Sequence, residues 1–282
     1  MTTVDRLAGF LAENPRLAVL TGAGCSTASG IPDYRDAGGQ WKQAQPVQFS
    51  DFLTHHSVRQ RYWARSMLGW PRIAEAVPNA AHEALVRLEN AGYMRLLVTQ
   101  NVDGLHQKAG SNDVIDLHGR LDSVACLDCS RRDDRSEWQR SLRGANPDWV
   151  KTIAGSNDAP DGDAFLEGAD YSTFAVPDCP ECGGIMKPQV VFFGEPVPTD
   201  RVTRAMQELD SADALLVVGS SLIVYSGYRF ARRAADQSKP IALINRGFNR
   251  ADSLAALKLD ADCGQVLSAL ADSLTGVARL VS

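Results

Sequence analysis

Four of the six cysteines form two closely spaced pairs, Cys126-x-x-Cys129 and Cys179-x-x-Cys182, with 49 residues between the pairs. A Cys-x-x-Cys turn brings two thiolates to one tetrahedral ion, and two such turns complete a four-sulfur zinc site. The alternative is a set of buried or redox-active thiols, but the intervening stretch has little apolar content. Four protein ligands leave no position for water, so the predicted zinc is structural.

A glycine-rich loop, which includes Gly22, Ala23, Gly24 and Ser26, follows the first apolar run. Glycines after a strand let backbone N–H groups approach a pyrophosphate. The third glycine comes later than in the common dinucleotide fingerprint, and no acidic residue clearly marks a ribose position about 20 residues on. The loop by itself leaves two interpretations open, a dinucleotide site and a plain strand-to-helix turn.

His118 follows a short apolar run and is a candidate general base, since a histidine titrates near neutral pH. A hydrogen-bonded structural role is the alternative for an isolated histidine. We give that structural interpretation to the remaining histidines, His55, His56, His82 and His106. The segment 100–103 offers two amides and a carboxylate for ribose hydroxyls or a carboxamide, although alone it is also compatible with a simple turn.

Short apolar runs precede most of these groups and end directly at glycine or polar residues. They span 17–20, 95–99, 114–115, 190–193, 214–218 and 241–244. Apolar runs without alternation suit strands that are buried on both faces of a parallel sheet. Helical spacing within 81–91, 201–209 and 228–236 places helices between many of them. The predicted fold class is α/β, a doubly wound Rossmann-like parallel sheet, which binds ligands at the C-terminal ends of its strands.

The amino-acid composition indicates which classes of molecule the protein is expected to bind. The net charge of −5 argues against a nucleic-acid binder, which would carry a basic face. No apolar run approaches the roughly 20 residues that span a bilayer, and the first ten residues lack a signal pattern. We therefore expect a cytoplasmic protein, a monomer, without a membrane or nucleic-acid partner.

Together the motifs resemble those of the sirtuin family. The matching segments are Gly-Ala-Gly-x-Ser at 22–26, Ser-Gly-Ile-Pro-Asp-Tyr-Arg at 29–35, Thr-Gln-Asn-Val-Asp-Gly-Leu-His at 99–106, Leu-His-Gly at 117–119, 187–195, and Gly-Ser-Ser-Leu-x-Val at 219–224. They run in the family's order, with the cysteine pairs in the expected gap. Segments 61–65 and 225–230 are most similar to the class II branch, which contains mitochondrial sirtuins and bacterial relatives. Cys25 departs from the Ile or Met that the family usually has.

The resemblance implies a role for each matching residue. His118 would be the general base, and Asn101 would assist at the nicotinamide ribose. NAD would contact Gly22, Ala23, Gly24, Ser26, Asp33, Tyr34, Arg35, Gln100, Asn101, Asp103, Gly219, Ser220, Ser221, Asn245, Arg246, Gly247 and Cys263. The acyl-lysine substrate would contact Tyr62, Arg65, Val191, Phe193, Gly194 and Glu195. Tyr62 and Arg65 are three apart and share a helix face, where they would receive an acidic acyl group or simply pack the helical lobe.

The implied function is NAD-dependent removal of acyl groups from protein lysines, which yields nicotinamide and O-acyl-ADP-ribose. NAD is consumed, one zinc is structural, and acylated proteins are the partners. The alternatives are protein mono-ADP-ribosyl transfer and a non-enzymatic NAD-sensing module. The expected division is an NAD-binding Rossmann-like domain (1–36, 76–121 and 189–282), a helical lobe (37–75) and an inserted zinc module (122–188).

Overall fold

The structure is a computed structural model that describes residues 2–33, 38, 40, 46–149, 157–158, 164–165 and 169–276. Its strands are β1 (Leu17–Thr21), β2 (Met94–Thr99), β3 (Val114–Asp116), β4 (Gly119–Cys126), β5 (Arg132–Asp134), β6 (Asn157–Asp158), β7 (Ala164–Phe165), β8 (Met186–Val190), β9 (Ala214–Val218), β10 (Ile241–Ile244) and β11 (Leu257–Leu259). Its α-helices are α1 (Thr3–Glu13), α2 (Phe49–Thr54), α3 (His56–Glu75), α4 (Ala80–Asn90), α5 (Leu105–Ala109), α6 (Arg135–Ala145), α7 (Thr199–Ser211), α8 (Tyr225–Asp236) and α9 (Cys263–Thr275).

Six strands form one parallel sheet in the order β11-β10-β9-β1-β2-β3. β2 and β3 lie on one side of the central β1. β9, β10 and β11, which come later in the sequence, lie on its other side. The direction of winding reverses between β1 and β9, which makes the crevice at their C-terminal ends the expected ligand site. The predicted doubly wound α/β fold is confirmed.

Helices cover both faces of this sheet because its central strands are apolar on both sides. On one face α1, α4 and α9 enclose a core that contains Leu7, Leu85 and Leu270. On the other face α7 and α8 pack through Leu209 and Phe230. β1 and β9 are buried along their whole lengths, which is the burial that their unbroken apolar sequences predict.

A second core lies beside the parallel sheet. β4, β5 and β8 form an antiparallel sheet that packs with α2, α3 and α6. Trp63 of α3 meets Trp138 of α6 with ring centroids 5.4 Å apart. The fully buried Arg135 donates to Ser66 on α3 and to Gln139 within α6. This core ties the four-cysteine region to α3. The domain limits given above remain a prediction.

One predicted strand of the parallel sheet is wrong. The apolar run 190–193 is not a strand of that sheet: β8 ends at Val190 and pairs antiparallel with β4. Its last residues leave the sheet because Phe192 donates its backbone N–H to the Glu195 carboxylate, at 2.8 Å, and the Phe193 carbonyl accepts from Phe49. The stretch between the two cysteine pairs, whose sequence has little apolar content, contains β5 and α6. Within the described ranges no helix is both long and apolar enough to cross a membrane.

Candidate active site

The four paired cysteines converge on one point. The Cys126 and Cys182 sulfurs are 3.5 Å apart, the Cys129 and Cys179 sulfurs are 3.6 Å apart, and all four lie within 4.8 Å of one another. Four sulfurs at about 2.3 Å from a tetrahedral zinc ion are separated from each other by about 3.8 Å. Backbone N–H groups, that of Cys129 first, lower the pKa of Cys126 to about 7, whereas the hydrogen bond with Cys129 raises the pKa of Cys182 to about 12, so the sulfur geometry is the argument for zinc. The cluster therefore fits one structural zinc ion.

A cavity of about 430 Å³ opens at the C-terminal ends of β1, β2 and β9, where the winding of the sheet reverses. Most of the residues proposed for NAD line it: Gly22, Ala23, Gly24, Ser26, Asp33, Gln100, Asn101, Asp103, Gly219, Ser220, Ser221, Asn245 and Arg246. His118 lines the same cavity. Segments far apart in sequence thus share one site.

The His118 ring has a defined tautomer. Its Nδ1 lies 2.9 Å from the Gln100 carbonyl oxygen, which only accepts, so Nδ1 carries the proton. The lone pair therefore resides on Nε2, which lies 2.7 Å from the Ser226 hydroxyl. Burial lowers the pKa of His118 to about 4, and the nearby cations Arg229 and Arg201 act in the same direction. The imidazole is thus neutral at physiological pH, and its Nε2 lone pair accepts from the Ser226 hydroxyl, which must turn away before Nε2 takes a proton from a substrate.

Side chains from the segments that follow β1 and β2 form a hydrogen-bonded network. The Asn101 amide donates to the Gly22 carbonyl, at 3.1 Å, and to the Ser26 hydroxyl, at 3.0 Å. Ser26 in turn donates to the Asp103 carboxylate, at 2.7 Å. The Gln100 amide donates to Ser220 at 2.8 Å and joins this network to the loop after β9. These bonds hold amide and carboxylate groups in fixed positions at the cavity wall.

The glycine loop packs directly on the loop after β9. Gly24 donates its backbone N–H to the Gly219 carbonyl at 2.8 Å. A Cβ at Gly24 would lie 2.9 Å from the Gly219 oxygen, so no larger side chain fits without movement of backbone. Gly219 itself has φ of +59°, a conformation that favours glycine. The backbone of the two loops thus shapes the cavity wall, although the N–H groups of Gly22 and Gly24 already donate to the Val218 and Gly219 carbonyls.

Comparison with known proteins identifies the family. The Sir2 family model matches residues 22–226, which include both cysteine pairs and the cavity residues from Gly22 to Ser226. The chain belongs to the Sir2 family.

Two kinds of Sir2 family relative support this assignment. The "NAD-dependent protein deacetylase" of Bordetella bronchiseptica is 58% identical over 268 residues, which cover 95% of this chain and 97% of the relative. The solved structure "Sir2-p53 peptide-NAD+" matches with a TM-score of 0.79 and 27% identity, and covers 98% of this chain and 100% of that one. A structure from "Structural Basis for the Mechanism and Regulation of Sir2 Enzymes" matches with a TM-score of 0.76 and 30% identity, over 97% and 98% of the two chains.

The remaining wall of the Sir2 cavity comes from α3 and from residues after β8. Tyr62, Val191, Phe193, Gly194 and Glu195 all line it, as the sequence predicts for a substrate site. The Tyr62 ring packs edge to face on Phe192, with centroids 5.1 Å apart. Arg65 is half-buried and is not among the residues that line the cavity, so its acyl-pocket role remains a prediction.

Of the four other predicted NAD-site positions, two do not line the cavity and two lie outside the described residues. Gly247 and Cys263 do not line it, although Gly247 follows Arg246 and the Cys263 sulfur reaches the Gly24 carbonyl at 3.5 Å. Tyr34 and Arg35 lie outside the described residues, which stop at Asp33 in this segment. The role of each predicted site residue remains a proposal.

Among the cavity residues that the site prediction lacked are Ser226 and Arg229. Ser226 lies 108 residues from His118 along the chain and contacts its Nε2. Both belong to α8, in the segment 225–230 whose resemblance to the class II branch is described above. That motif was the only available signal, because no local pattern indicates which distant ring a serine will contact.

Proposed function

We propose that this chain is an NAD-dependent protein-lysine deacylase that transfers the acyl group to ADP-ribose and releases nicotinamide. One observation carries the proposal: the neutral His118, whose Nε2 accepts from Ser226, lines the same cavity as the glycine loop and the Asn101–Ser26–Asp103 network. A base, an anion-binding loop and amides suited to a ribose are thereby brought to one place. An NAD-sensing module has no need of a base at that position.

Each of these residues would have a separate role in the reaction. In this reaction the acyl-lysine carbonyl oxygen attacks C1′ of the nicotinamide ribose while nicotinamide departs. Orientation therefore matters more than a strong nucleophile. Gln100 and Asn101 would hold the ribose, and Asp103 the carboxamide of the nicotinamide. His118 would take a proton from a ribose hydroxyl, which then attacks the acyl carbon. The loop at Gly22, Ala23 and Gly24 would lie against the phosphates, with the backbone N–H of Ala23 as the proposed donor, since those of Gly22 and Gly24 donate to Val218 and Gly219.

The adenosine half of NAD would occupy the side of the cavity beyond β9 and β10. Ser220 and Ser221 line that side, and the Ser220 carbonyl accepts from Asn249, which fixes the loop. Asn245 and Arg246 follow β10 and line the same part. We assign the adenosine contacts to these loop residues.

The acyl-lysine would enter beside Val191 and Phe193. We assign Tyr62 to the wall of the acyl channel and Arg65 to the recognition of an acidic acyl chain, since an Arg fork matches a carboxylate. Arg65→Met should raise KM for succinyl- or glutaryl-lysine peptides and leave KM for acetyl-lysine peptides nearly unchanged. Arg61→Met is the matched control, because Arg61 is exposed on another part of α3. Equal losses on acidic and neutral chains would make Arg65 structural.

Partners follow from the same chemistry. Acylated proteins or peptides are the proposed substrates, and the net charge of −5 supports protein rather than nucleic-acid binding. We further propose that the chain acts as a monomer in the cytoplasm.

The products of one reaction distinguish the candidate functions. The chain is incubated with NAD and an acyl-lysine peptide, and nicotinamide, free lysine peptide and O-acyl-ADP-ribose are quantified by mass spectrometry. Deacylation predicts all three products in equal amounts, and none of the three in the absence of either substrate. ADP-ribosylated protein together with an intact acyl peptide would indicate ADP-ribosyl transfer. Tight binding of NAD without any nicotinamide release would indicate a sensor.

A further inference from the structure

Arg229 is a cation of the cavity wall that has no carboxylate partner among the described residues. It lies on α8, three positions after Ser226, so the two side chains share a helix face. Both residues line the cavity, and the Ser226 hydroxyl reaches His118 Nε2 at 2.7 Å. We infer that Arg229 is a recognition residue for the carboxylate of an acidic acyl chain, which it binds beside His118.

The guanidinium of Arg229 is held in place but is not neutralised. Its Nε is buried and has no hydrogen-bond partner. Its central carbon lies 5.6 Å from the ring centroid of Tyr225, which also lines the cavity, and this distance is typical of a cation–π contact. Partial burial removes water from a cation, and an anion that hydrogen-bonds to the cation offsets this cost. The arrangement therefore fits a site that a ligand completes.

Other charged side chains of the cavity wall already have partners. The Glu195 carboxylate lies 3.0 Å from Lys187 Nζ. Arg246, the other arginine among the described residues that line the cavity, lies 3.3 Å from the Asp262 carboxylate. Within the described part of the chain, Arg229 is thus the arginine of the cavity wall whose charge is available to a ligand.

The position of Arg229 indicates which anion it binds. The phosphates of NAD are assigned above to the glycine loop after β1, whereas Arg229 shares a helix face with the serine that contacts His118. In the proposed reaction the base acts where the acyl carbon meets the ribose, and the ribose carries no negative charge. An anion at this point therefore belongs to the acyl group, as the terminal carboxylate of a succinyl or glutaryl chain. This step rests on the proposed function.

Arg229 would be a second partner for the carboxylate that is assigned above to Arg65. Arg65 belongs to α3 and does not line the cavity, whereas Arg229 lines it from α8. A carboxylate has about four acceptor sites, and each guanidinium offers a planar fork of donors, so one carboxylate can bind both arginines. The two assignments are therefore independent, and each has its own variant.

Two peptides that differ only in charge test the role of Arg229. One carries glutaryl-lysine and the other carries its neutral amide isostere, glutaramoyl-lysine, and the Kd of each is measured by calorimetry without NAD. The unaltered chain should bind the glutaryl peptide roughly 10- to 100-fold more tightly, which is the scale of hydrogen bonds to a charged group. Arg229→Met should reduce this ratio about 10-fold or more and leave the Kd of the neutral peptide unchanged.

Two further variants sharpen the comparison. Arg229→Lys keeps the charge but loses the planar fork, so it should retain only part of the ratio. Arg232→Met is the matched control, because Arg232 is exposed on the same helix, and it should retain the whole ratio.

Several results would overturn the assignment. Equal Kd values for the two peptides in the unaltered chain would show that no acyl carboxylate is recognised. An unchanged ratio in Arg229→Met, or in Arg229→Lys if the first variant does not fold, would place the recognition elsewhere. An unchanged ratio with a weaker Kd for NAD would make Arg229 a phosphate contact. An unchanged ratio with weaker binding of acetyl-lysine peptides that carry a neighbouring glutamate would make it a contact for the peptide.

The proposed function fails separately. If neither peptide supports nicotinamide release from NAD although the binding ratio and its loss in Arg229→Met are as predicted, the carboxylate site stands and the deacylase assignment does not.

Discussion

Replacement of Gly24 by alanine tests whether the close packing of the two cavity loops is needed for NAD binding. The added Cβ would lie 2.9 Å from the Gly219 oxygen and 3.0 Å from its Cα. Relaxed contacts are roughly 0.5 Å longer, and both neighbours are backbone atoms, so the loops must separate. Overpacking of this kind costs about 1–3 kcal/mol, which lowers Tm by roughly 2–12 °C in a chain of this size.

The same displacement should weaken NAD binding. If it removes one hydrogen bond between the loop backbone and a phosphate, about 1.5–3 kcal/mol is lost, which raises the Kd for NAD roughly 10- to 100-fold. Calorimetric titration with NAD and a thermal melt measure the two effects. Gly9→Ala is the matched control, since Gly9 is exposed within α1 and a Cβ there meets nothing within 4 Å. That control should gain about 0.5–1 kcal/mol and bind NAD normally. A Gly24→Ala protein with unaltered Tm and Kd would refute the packing argument.

Three further predictions follow from the zinc cluster, the base and the buried histidines. Cys179→Ser should lose zinc, as elemental analysis would show, and should unfold at a lower temperature, because metal binding and folding are coupled; full zinc content would contradict the four-sulfur site. His118→Ala should keep its NAD Kd and Tm while turnover falls by roughly 10²-fold or more; a full deacylation rate would remove His118 from the mechanism. Burial lowers the pKa of His106 to about 3, so below pH 6.5 the unfolded chain binds a proton that the folded chain does not. As the pH is lowered from 6.5 to 3, His106 should therefore reduce the free energy of unfolding by about 1.4 kcal/mol per pH unit, as measured from urea unfolding curves. Equal free energies of unfolding at pH 7.0 and 5.5 would show that the ring is not buried in its neutral form.

The parallel sheet was predictable because its signal is local. β1 and β9 are five-residue strands built on the apolar runs 17–20 and 214–218; the structure buries both along their whole lengths, and each ends at a polar or glycine cluster. The helix α6 gave no comparable signal. Its buried side includes Arg135 and Gln139, which bond to each other and to α3, so polar residues occupy positions where a helical stripe would be apolar.

The run 190–193 shows the opposite limit of local reasoning. Its sequence is as apolar as that of a sheet strand, but its backbone bonds go to His118, Phe49 and the Glu195 side chain, and its parallel bridge from Phe193 to Gln48 lies outside the six-stranded sheet. The sequence pattern also gives no indication of contacts between segments that are far apart in the chain. The Ser226 contact with His118 spans 108 residues, and the Cys263 contact with Gly24 spans 239. Such contacts depend on how the whole sheet is wound, which no short segment encodes.

The most direct test of NAD-coupled acyl transfer follows one oxygen atom. A peptide whose acyl-lysine carbonyl carries ¹⁸O is turned over with NAD in ordinary water, and the products are analysed by mass spectrometry. If the carbonyl oxygen attacks C1′ of the ribose, the label appears on the ribose of O-acyl-ADP-ribose, in an amount equal to the nicotinamide released. Label recovered in free carboxylic acid, with unlabelled ADP-ribose, would show that amide hydrolysis and NAD cleavage are separate events and would contradict the proposed function.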